Sequence, residues 1–278
     1  MPGEGNRGSG VTVRRRLDAE LVRRGLVPSR ARAVEAIAAG RVLVGGLPAT
    51  AAARRVGPDE PVLLREAERD SYVSRGGTKL AAGLASFGVD VRERRAVDVG
   101  ASTGGFTDCL LRAGAAHVTA IDVGRGQLAW SLRTDPRVTV RERTNVRDLG
   151  PGAIDPPPTV CVADLSFISL RTVAPHLVAI THPDAEHVLL VKPQFEAGRT
   201  GVGRGGIVRD PEVHARVLHE VIAALGEAGL GVGGLTASPI RGARGNVEFL
   251  VHARRGPVTL AAGAIDGVVA AVSEAAPA

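Results

Sequence analysis

From residue 95 to residue 253, short runs rich in Val, Ile and Leu alternate with stretches of helical periodicity, and this alternation constrains the fold more than any other feature. The runs are RAVDVGA (95–101), HVTAIDVG (117–124), VTVRERT (138–144), TVCVADL (159–165), HVLLVKP (187–193), LTASPI (235–240) and VEFLVHA (247–253). Helices are expected over 103–113, 169–180 and 211–228, the last opened by Asp210 as N-cap with Pro211 at the first helical position. Strands alternating with helices imply an α/β domain built on a mostly parallel, doubly wound sheet of seven strands. With 44% hydrophobic and 23% charged residues the chain is globular, and at 3% aromatic its core must be made of Val, Leu, Ile and Ala.

The text before this domain is different. Residues 1–13 are Gly-rich and expected to be a disordered tail. Residues 14–67 read as a compact α+β module. Leu17, Leu21 and Val22 line one helix that stops at Gly25. Ser29 caps a second helix with Val34, Ile37 and Ala38 facing inward, closed by Gly40. RVLVGGLPAT and PVLLRE then supply short strands around a Gly-Gly turn. The helices present Arg14, Arg15, Arg16, Arg23, Arg24, Arg30, Arg32 and Arg41, a surface suited to tracking phosphates. A formal charge of +6 and a pI near 10.4 point the same way, to nucleic acid first and an anionic membrane second. Residues 68–74 are a polar linker, with a hinge expected around Asp70 to Val73. The α/β domain runs over 75–256, and 257–278 form a partly helical tail.

Several classes of function are excluded as expectations. Cys109 and Cys161 sit in apolar runs without metal-ligand neighbours, and His214 and His219, five apart, do not share a helix face, so no metal is expected. The N-terminus lacks an apolar signal core, and no apolar run approaches the roughly 18 residues of a membrane span, so a soluble, cytoplasmic protein is expected.

Of the 35 Lys and Arg residues only two are Lys, at 79 and 192. Arg keeps its proton under ordinary conditions, so a chain that writes Arg almost everywhere keeps Lys where a compact ammonium, or one able to give up its proton, is required. Lys192 ends the fifth strand, Asp164 ends the fourth, and Lys79 lies on a helix before the first. Open α/β sheets bind ligands at the carboxyl ends of their strands, so Asp164 and Lys192 are expected in one crevice with the glycine turn, and the helix of Lys79 to fold over it. Glu248 begins the last strand and reaches that edge only if the strand is antiparallel. AVDVGASTGGFTD is a strand, a glycine turn and a helix start, with Asp98, Gly100, Gly104 and Gly105 spaced D-x-G-x-x-x-G-G, and Asp122 ends the next strand where a carboxylate can bind ribose hydroxyls. This suits a nicotinamide cofactor or S-adenosylmethionine. The acid at Asp98 disfavours a pyrophosphate and favours the cationic S-adenosylmethionine.

RLDAELVRRGLVPSRARAVEAIAAGRVLVGG (16–46) resembles the S4 RNA-binding domain, and the Lys79–Asp164–Lys192–Glu248 set resembles the catalytic tetrad of FtsJ-like ribose 2′-O-methyltransferases. With SRGGTKL, DVGASTGGFTD, IDVGRGQLAWSLR, ERTNVRDL, ADLSFISL, VKPQFE and GNVEF in order, the chain resembles the TlyA family, whose members also carry the label haemolysin A. The resemblance implies a Rossmann-like class I methyltransferase behind an S4 module, modifying cytidine 2′-hydroxyls in ribosomal RNA of the large subunit and also the small one. It assigns Asp98, Gly100, Ser102, Gly104, Asp122 and Asn145 to S-adenosylmethionine, Asn145 standing where FtsJ relatives usually carry Asp. Lys192 would act as base or as a charged clamp on the alkoxide, with Asp164 orienting it and Glu248 and Lys79 positioning the ribose. The Gly/Arg loop 194–210 would put Arg199, Arg204 and Arg209 on phosphates, and Phe167, Phe195 or Tyr72 would stack an extruded cytidine. A small-molecule methyltransferase would leave the S4-like module without purpose, a non-catalytic RNA-binding protein would not need the four-charge set, and nothing in the sequence supports a pore.

Overall fold

A computed structural model describes residues 14–38, 40–65, 72–203 and 205–274. The tail at 1–13, the hinge positions Asp70 and Ser71, and Arg204 lie outside the described residues, as does the side chain of Arg199. The chain divides into two compact units, Met1–Ser71 and Tyr72–Ala278.

In the first unit β1 (Arg15–Arg16) leads into α1 (Leu17–Arg23), followed by α2 (Arg30–Ala38), β2 (Val42–Val44), β3 (Leu47–Pro48), β4 (Arg55–Val56) and β5 (Val62–Leu64). β1 pairs with β4, and β3, β2 and β5 form a three-stranded sheet in that order, all antiparallel. Gly45 and Gly46 join β2 to β3 in two residues, both with positive φ (61° and 84°), the conformation a tight hairpin requires. Leu17 and Leu21, one helical turn apart, pack with Ala33, Ala36 and Ile37 of α2. Val34 and Ala38 do not face inward as expected. The α2 face is set by Ala33, Ala36 and Ile37, and Val34, one residue off that face, is 46% exposed.

The second unit contains α3 (Arg75–Phe87), β6 (Arg95–Val99), α4 (Gly105–Arg112), β7 (His117–Ile121), α5 (Trp130–Arg133), β8 (Val138–Arg141), β9 (Val160–Ala163), α6 (Leu170–Ala179), β10 (Glu186–Val191), α7 (Pro193–Glu196), α8 (Gly198–Gly201), α9 (Pro211–Glu227), β11 (Leu230–Ala237), β12 (Phe249–Arg255) and α10 (Ala264–Glu274). Its strand order is β8-β7-β6-β9-β10-β12-β11, parallel from β8 to β10, with β12 antiparallel to both its neighbours. The central strands read as unbroken apolar runs because both faces are covered. Val97, Val99, Cys161, Ala163, Leu189 and Val191 face the α6/α9/α10 side, and the alternate residues Ala96, Val160, Val162, Val188 and Leu190 face α3 and α4. Ser169 and Asp210 cap α6 and α9, accepting hydrogen bonds from the backbone N–H groups of Arg171 and Glu212.

β11 begins at Leu230 rather than at 235. Its glycines are where other chain elements press closest. A Cβ on Gly231 would lie 1.9 Å from the Pro257 carbonyl oxygen, and one on Gly234 would lie 2.7 Å from the Phe87 ring.

Candidate active site at the carboxyl edge of the sheet

From β6 the chain winds outward through β7 and β8, and from β9 it winds the other way, so the sheet opens a crevice at the carboxyl ends of β6 and β9. The two strand ends leave side by side, with Asp164 N–H donating to the Val99 carbonyl at 3.1 Å. A Cβ on Gly100 (φ 86°) would sit 2.6 Å from the Asp164 carbonyl oxygen, so only glycine allows both loops to leave there. The next glycines serve packing. A Cβ on Gly104 would meet Leu132 at 2.3 Å, and one on Gly105 would meet Ser74 Oγ at 2.2 Å and the backbone N of Gly77 at 3.0 Å. The glycine pairs of SRGGTKL and STGGF thus let the starts of α3 and α4 approach one another, which brings Lys79 to the site. Val73 N–H, donating to Asp108 Oδ2 at 2.8 Å, and Tyr72, lying under the Arg112 guanidinium, tie the entry of α3 to α4.

Asp98 is fully buried at the floor of the crevice. Its Oδ2 accepts the Thr107 hydroxyl at 2.6 Å, while Oδ1 is buried without a partner. Burial, only partly offset by Thr107, pushes its carboxyl up to about 7. Asp122 braces the turn, Oδ2 accepting Ser102 N–H at 2.7 Å and Oδ1 accepting Gly124 N–H at 2.6 Å. The Ser102 hydroxyl donates to Gln127 Oε1 at 3.3 Å. Asn145 caps the short turn Val146–Asp148, its Oδ1 accepting Arg147 N–H at 3.1 Å. An unsatisfied acceptor at Asp98, with carboxylates at Asp122 and Asp164 nearby, fits a ligand that brings positively charged donors and opposes a pyrophosphate.

Four charges converge on the same edge. Val191 of β10 stands opposite Phe249 of β12, so Lys192, one residue beyond, stands opposite Glu248, one residue before. The antiparallel direction of β12 therefore meets the condition under which Glu248 reaches the carboxyl edge. Lys192 Nζ lies 2.5 Å from Asp164 Oδ1 and donates to Ser166 Oγ at 3.1 Å. Lys79 Nζ lies 2.5 Å from Glu248 Oε2, both residues buried. Gly242 makes room for this second pair, since a Cβ there would fall 1.9 Å from Glu248 Oε1. Beside Lys192, Phe167 is 91% exposed with φ at 64°, an uncommon backbone for an aromatic residue, and its ring lies 5.1 Å from that of Phe195. Ser166 and Gly242, which hold Lys192 and make room for Glu248, are not among the residues the sequence singled out. Each stands inside or beside a motif already singled out, but their roles depend on contacts with distant segments.

The arginines of the first unit divide. Arg16 and Arg30 flank the buried Asp18, and Arg23 flanks the buried Glu20, each keeping a side chain about half in solvent. Arg14 pairs with Glu60 and Arg32 with Glu35, whereas Arg15 and Arg41 make no side-chain bond among the described residues. Arg24 departs from the expected phosphate-binding role. It donates to Glu20 and to the carbonyls of Gly57, Pro58 and Glu60, so its fork is used in clamping α1 to the turn between β4 and β5. In the 194–210 loop Arg209 is exposed, and its neighbours are anchored by Asn246, which bonds Gly206 and Val208. Among the described residues no cluster of His, Cys, Asp or Glu could hold a metal ion, and no helix is long and apolar enough to cross a membrane.

Comparison with known proteins matches residues 72–255 to the FtsJ-like methyltransferase family and residues 15–62 to the S4 domain. The chain is 52% identical, over 87% of its length and 90% of the relative's, to the 16S/23S rRNA (cytidine-2'-O)-methyltransferase TlyA of Mycobacterium tuberculosis. It is 32% identical, over 65% of its length and 70% of the relative's, to the 23S rRNA (cytidine-2'-O)-methyltransferase TlyA of Campylobacter jejuni. Among solved structures, one named as a hemolysin of Streptococcus thermophilus superposes with a TM-score of 0.74 at 38% identity, covering 95% of this chain and 97% of that one.

Proposed function

Because the chain belongs to the TlyA family of FtsJ-like methyltransferases, we propose that it is an S-adenosylmethionine-dependent enzyme that methylates the ribose 2′-hydroxyl of cytidine in ribosomal RNA, in the cytoplasm. One observation carries the reading: Lys192–Asp164 and Lys79–Glu248 form two ion pairs at the carboxyl edge, with Lys192 opposite Glu248 by strand register. The higher identity to the relative named for both 16S and 23S rRNA than to the one named for 23S rRNA alone favours both subunits as substrates.

A ribose hydroxyl is a weak nucleophile until its proton is removed or partly transferred. Lys192 acts on it, either accepting the proton or neutralising the developing alkoxide. Both roles need Nζ held where Asp164 and Ser166 hold it, contacts that use two of its bonding positions and leave another for the hydroxyl. The Lys79–Glu248 pair orients the ribose from the other side. Bound S-adenosylmethionine supplies an electrophilic methyl on a sulfonium. Asp98, Gly100, Ser102, Gly104, Asp122 and Asn145 would hold the cofactor, with the unpartnered Asp98 Oδ1 the acceptor best suited to its ammonium. The exposed Phe167 ring, braced by Phe195, offers a flipped cytosine a stacking surface. In the first unit Arg14, Arg15, Arg16, Arg23, Arg30, Arg32 and Arg41, and in the second Arg199 and Arg204, contribute the phosphate contacts.

The test is transfer of labelled methyl from S-adenosylmethionine to unmethylated small and large subunits, with Lys192→Ala alongside and the site mapped by resistance to alkaline cleavage. Label on cytidine ribose in both subunits, lost in the variant, is expected. No transfer by a protein that still binds the cofactor would exclude ribosomal RNA as substrate.

A further inference from the structure

Lys192 and the residues around its ammonium lie on two segments outside the regular sheet. Asp164, Ser166 and Phe167 lie between β9 and α6, while Lys192 and Phe195 lie just past β10. Strand pairing between β9 and β10 ends at Ala163 and Leu189, so the ladder does not fix Lys192 against Asp164. Glu196 joins the two segments. Its Oε1 accepts Leu170 N–H at 2.7 Å and its Oε2 accepts the Ser169 hydroxyl at 2.5 Å. Arg171 adds a bond from Nη2 to the Glu196 carbonyl at 2.9 Å, and its Nε lies 3.4 Å from Oε2.

Helix capping alone does not account for this carboxylate. Ser169 already caps α6 through Arg171 N–H. Glu196 is 3% exposed, and burial, only partly offset by Ser169, Leu170 and Arg171, pushes its carboxyl above the usual range. An acid whose ionisation the fold disfavours is a poor choice for stability alone. What it does achieve is closure: with the Lys192–Asp164 pair on one side and Glu196–Ser169 on the other, the two segments form one ring.

We propose that Glu196 is a positioning residue for methyl transfer, a latch that holds Lys192 against Asp164 in the geometry the 2′-hydroxyl requires. This rests on the reading of Lys192 given above. Displacements of about 1 Å at a reacting group can lower a rate by about 10²-fold, so a latch of two hydrogen bonds is enough to matter.

The experiment measures kcat and KM on ribosomal subunits, cofactor affinity and melting temperature for the full chain and for Glu196→Ala, Glu196→Gln, Ser169→Ala, Glu186→Gln and Lys192→Ala. Glu186, at the other end of β10, is the control for losing a buried acid without touching the site. Glu196→Ala is expected to lower kcat by about 10²-fold with both KM values within about twofold. Glu196→Gln, whose single carbonyl oxygen can keep the Leu170 N–H bond but whose NH2 cannot also accept the Ser169 hydroxyl, should return kcat in part, to within about tenfold, and Ser169→Ala should lower it by about fivefold with KM unchanged. Glu186→Gln should lower the melting temperature and leave kcat alone. Should Glu196→Ala not fold, Ser169→Ala and Glu196→Gln decide the matter. An unchanged kcat in Ser169→Ala, no recovery in Glu196→Gln, or a Glu196→Ala profile matching Glu186→Gln overturns the latch while Lys192→Ala is inactive. An active Lys192→Ala overturns the reading of Lys192, and the latch with it.

Discussion

Strand β10 starts on a buried glutamate, Glu186, and leads through Lys192 to another, Glu196, and the protein treats the two in opposite ways. At the amino edge Glu186 is gripped by Arg94 and Arg254, with His252 Nε2 at 3.4 Å, and Arg94 also donates to the carbonyls of Asp90 and Thr159. Burial pushes the Glu186 carboxyl up, but the two guanidinium groups outweigh it and hold it below the usual range. At the carboxyl edge the balance reverses, with Glu196 and Asp98 both raised by burial that their hydrogen bonds do not offset. Asp98 Oδ1 lacks a partner and Phe167 sits at positive φ with its ring in solvent. One edge of the sheet pairs its buried acid fully, and the other leaves an acceptor unpaired and an aromatic residue at positive φ, as the proposed ligand site requires.

The sharpest way to break this contrast is a mutation of the same kind at each edge. Lys192→Ala should lower methyl transfer by about 10³-fold at a smaller cost in stability than Lys79→Ala, because Asp164 is less buried than Glu248, and Lys192→Arg should not rescue it, because a planar guanidinium neither replaces a compact ammonium nor gives up its proton. Arg94→Ala should do the reverse, costing about 1–3 kcal/mol in chemical denaturation while kcat holds. Equal effects on both readouts at both edges would end the distinction. Lys79→Ala should cost about 3 kcal/mol, since it strands the buried Glu248, whereas Lys79→Met with Glu248→Leu should recover the stability but not the activity. Gly100→Ala should cost about 2 kcal/mol and abolish cofactor binding, because φ is positive there and the Asp164 carbonyl occupies the space.

The smallest effect is the most specific to the comparison. Asp98 is raised to about 7, so its carboxyl is neutral below that pH and ionised above it. Affinity for cationic S-adenosylmethionine should therefore rise as pH climbs through about 7 and flatten in Asp98→Asn, as read by equilibrium dialysis. The stability of the free protein carries the opposite sign: an acid with a raised folded value favours the fold while protonated and loses that contribution as pH rises toward about 7. Glu186, held low, contributes above the usual carboxylate range and loses its contribution in acid.

Much of the site was legible because its signals are local. The apolar runs of β6, β9 and β10, the cap at Asp210, and the choice of Lys over Arg at 79 and 192 each follow from a few neighbouring residues. The glycines were legible as necessary but not for their reason, since Gly104 and Gly105 are small to admit Leu132 and the start of α3. Val34 faces outward and β11 begins early because the packing partners that decide both are far away in sequence. Arg24 resembles its neighbours in the text and differs only in the backbone carbonyls that fold back onto it.

The sequence by itself determined the order of strands and helices, the residue types available at each strand end, and the chemistry those types can perform, because these depend on periodicity and side-chain character over a turn or two. The tertiary structure decided which charges meet. The register of β12 against β10 sets Glu248 opposite Lys192, and the packing of α3 against α4 brings Lys79 to Glu248. Register is imposed by burying both faces of the whole sheet at once, a condition that no short stretch of sequence can express.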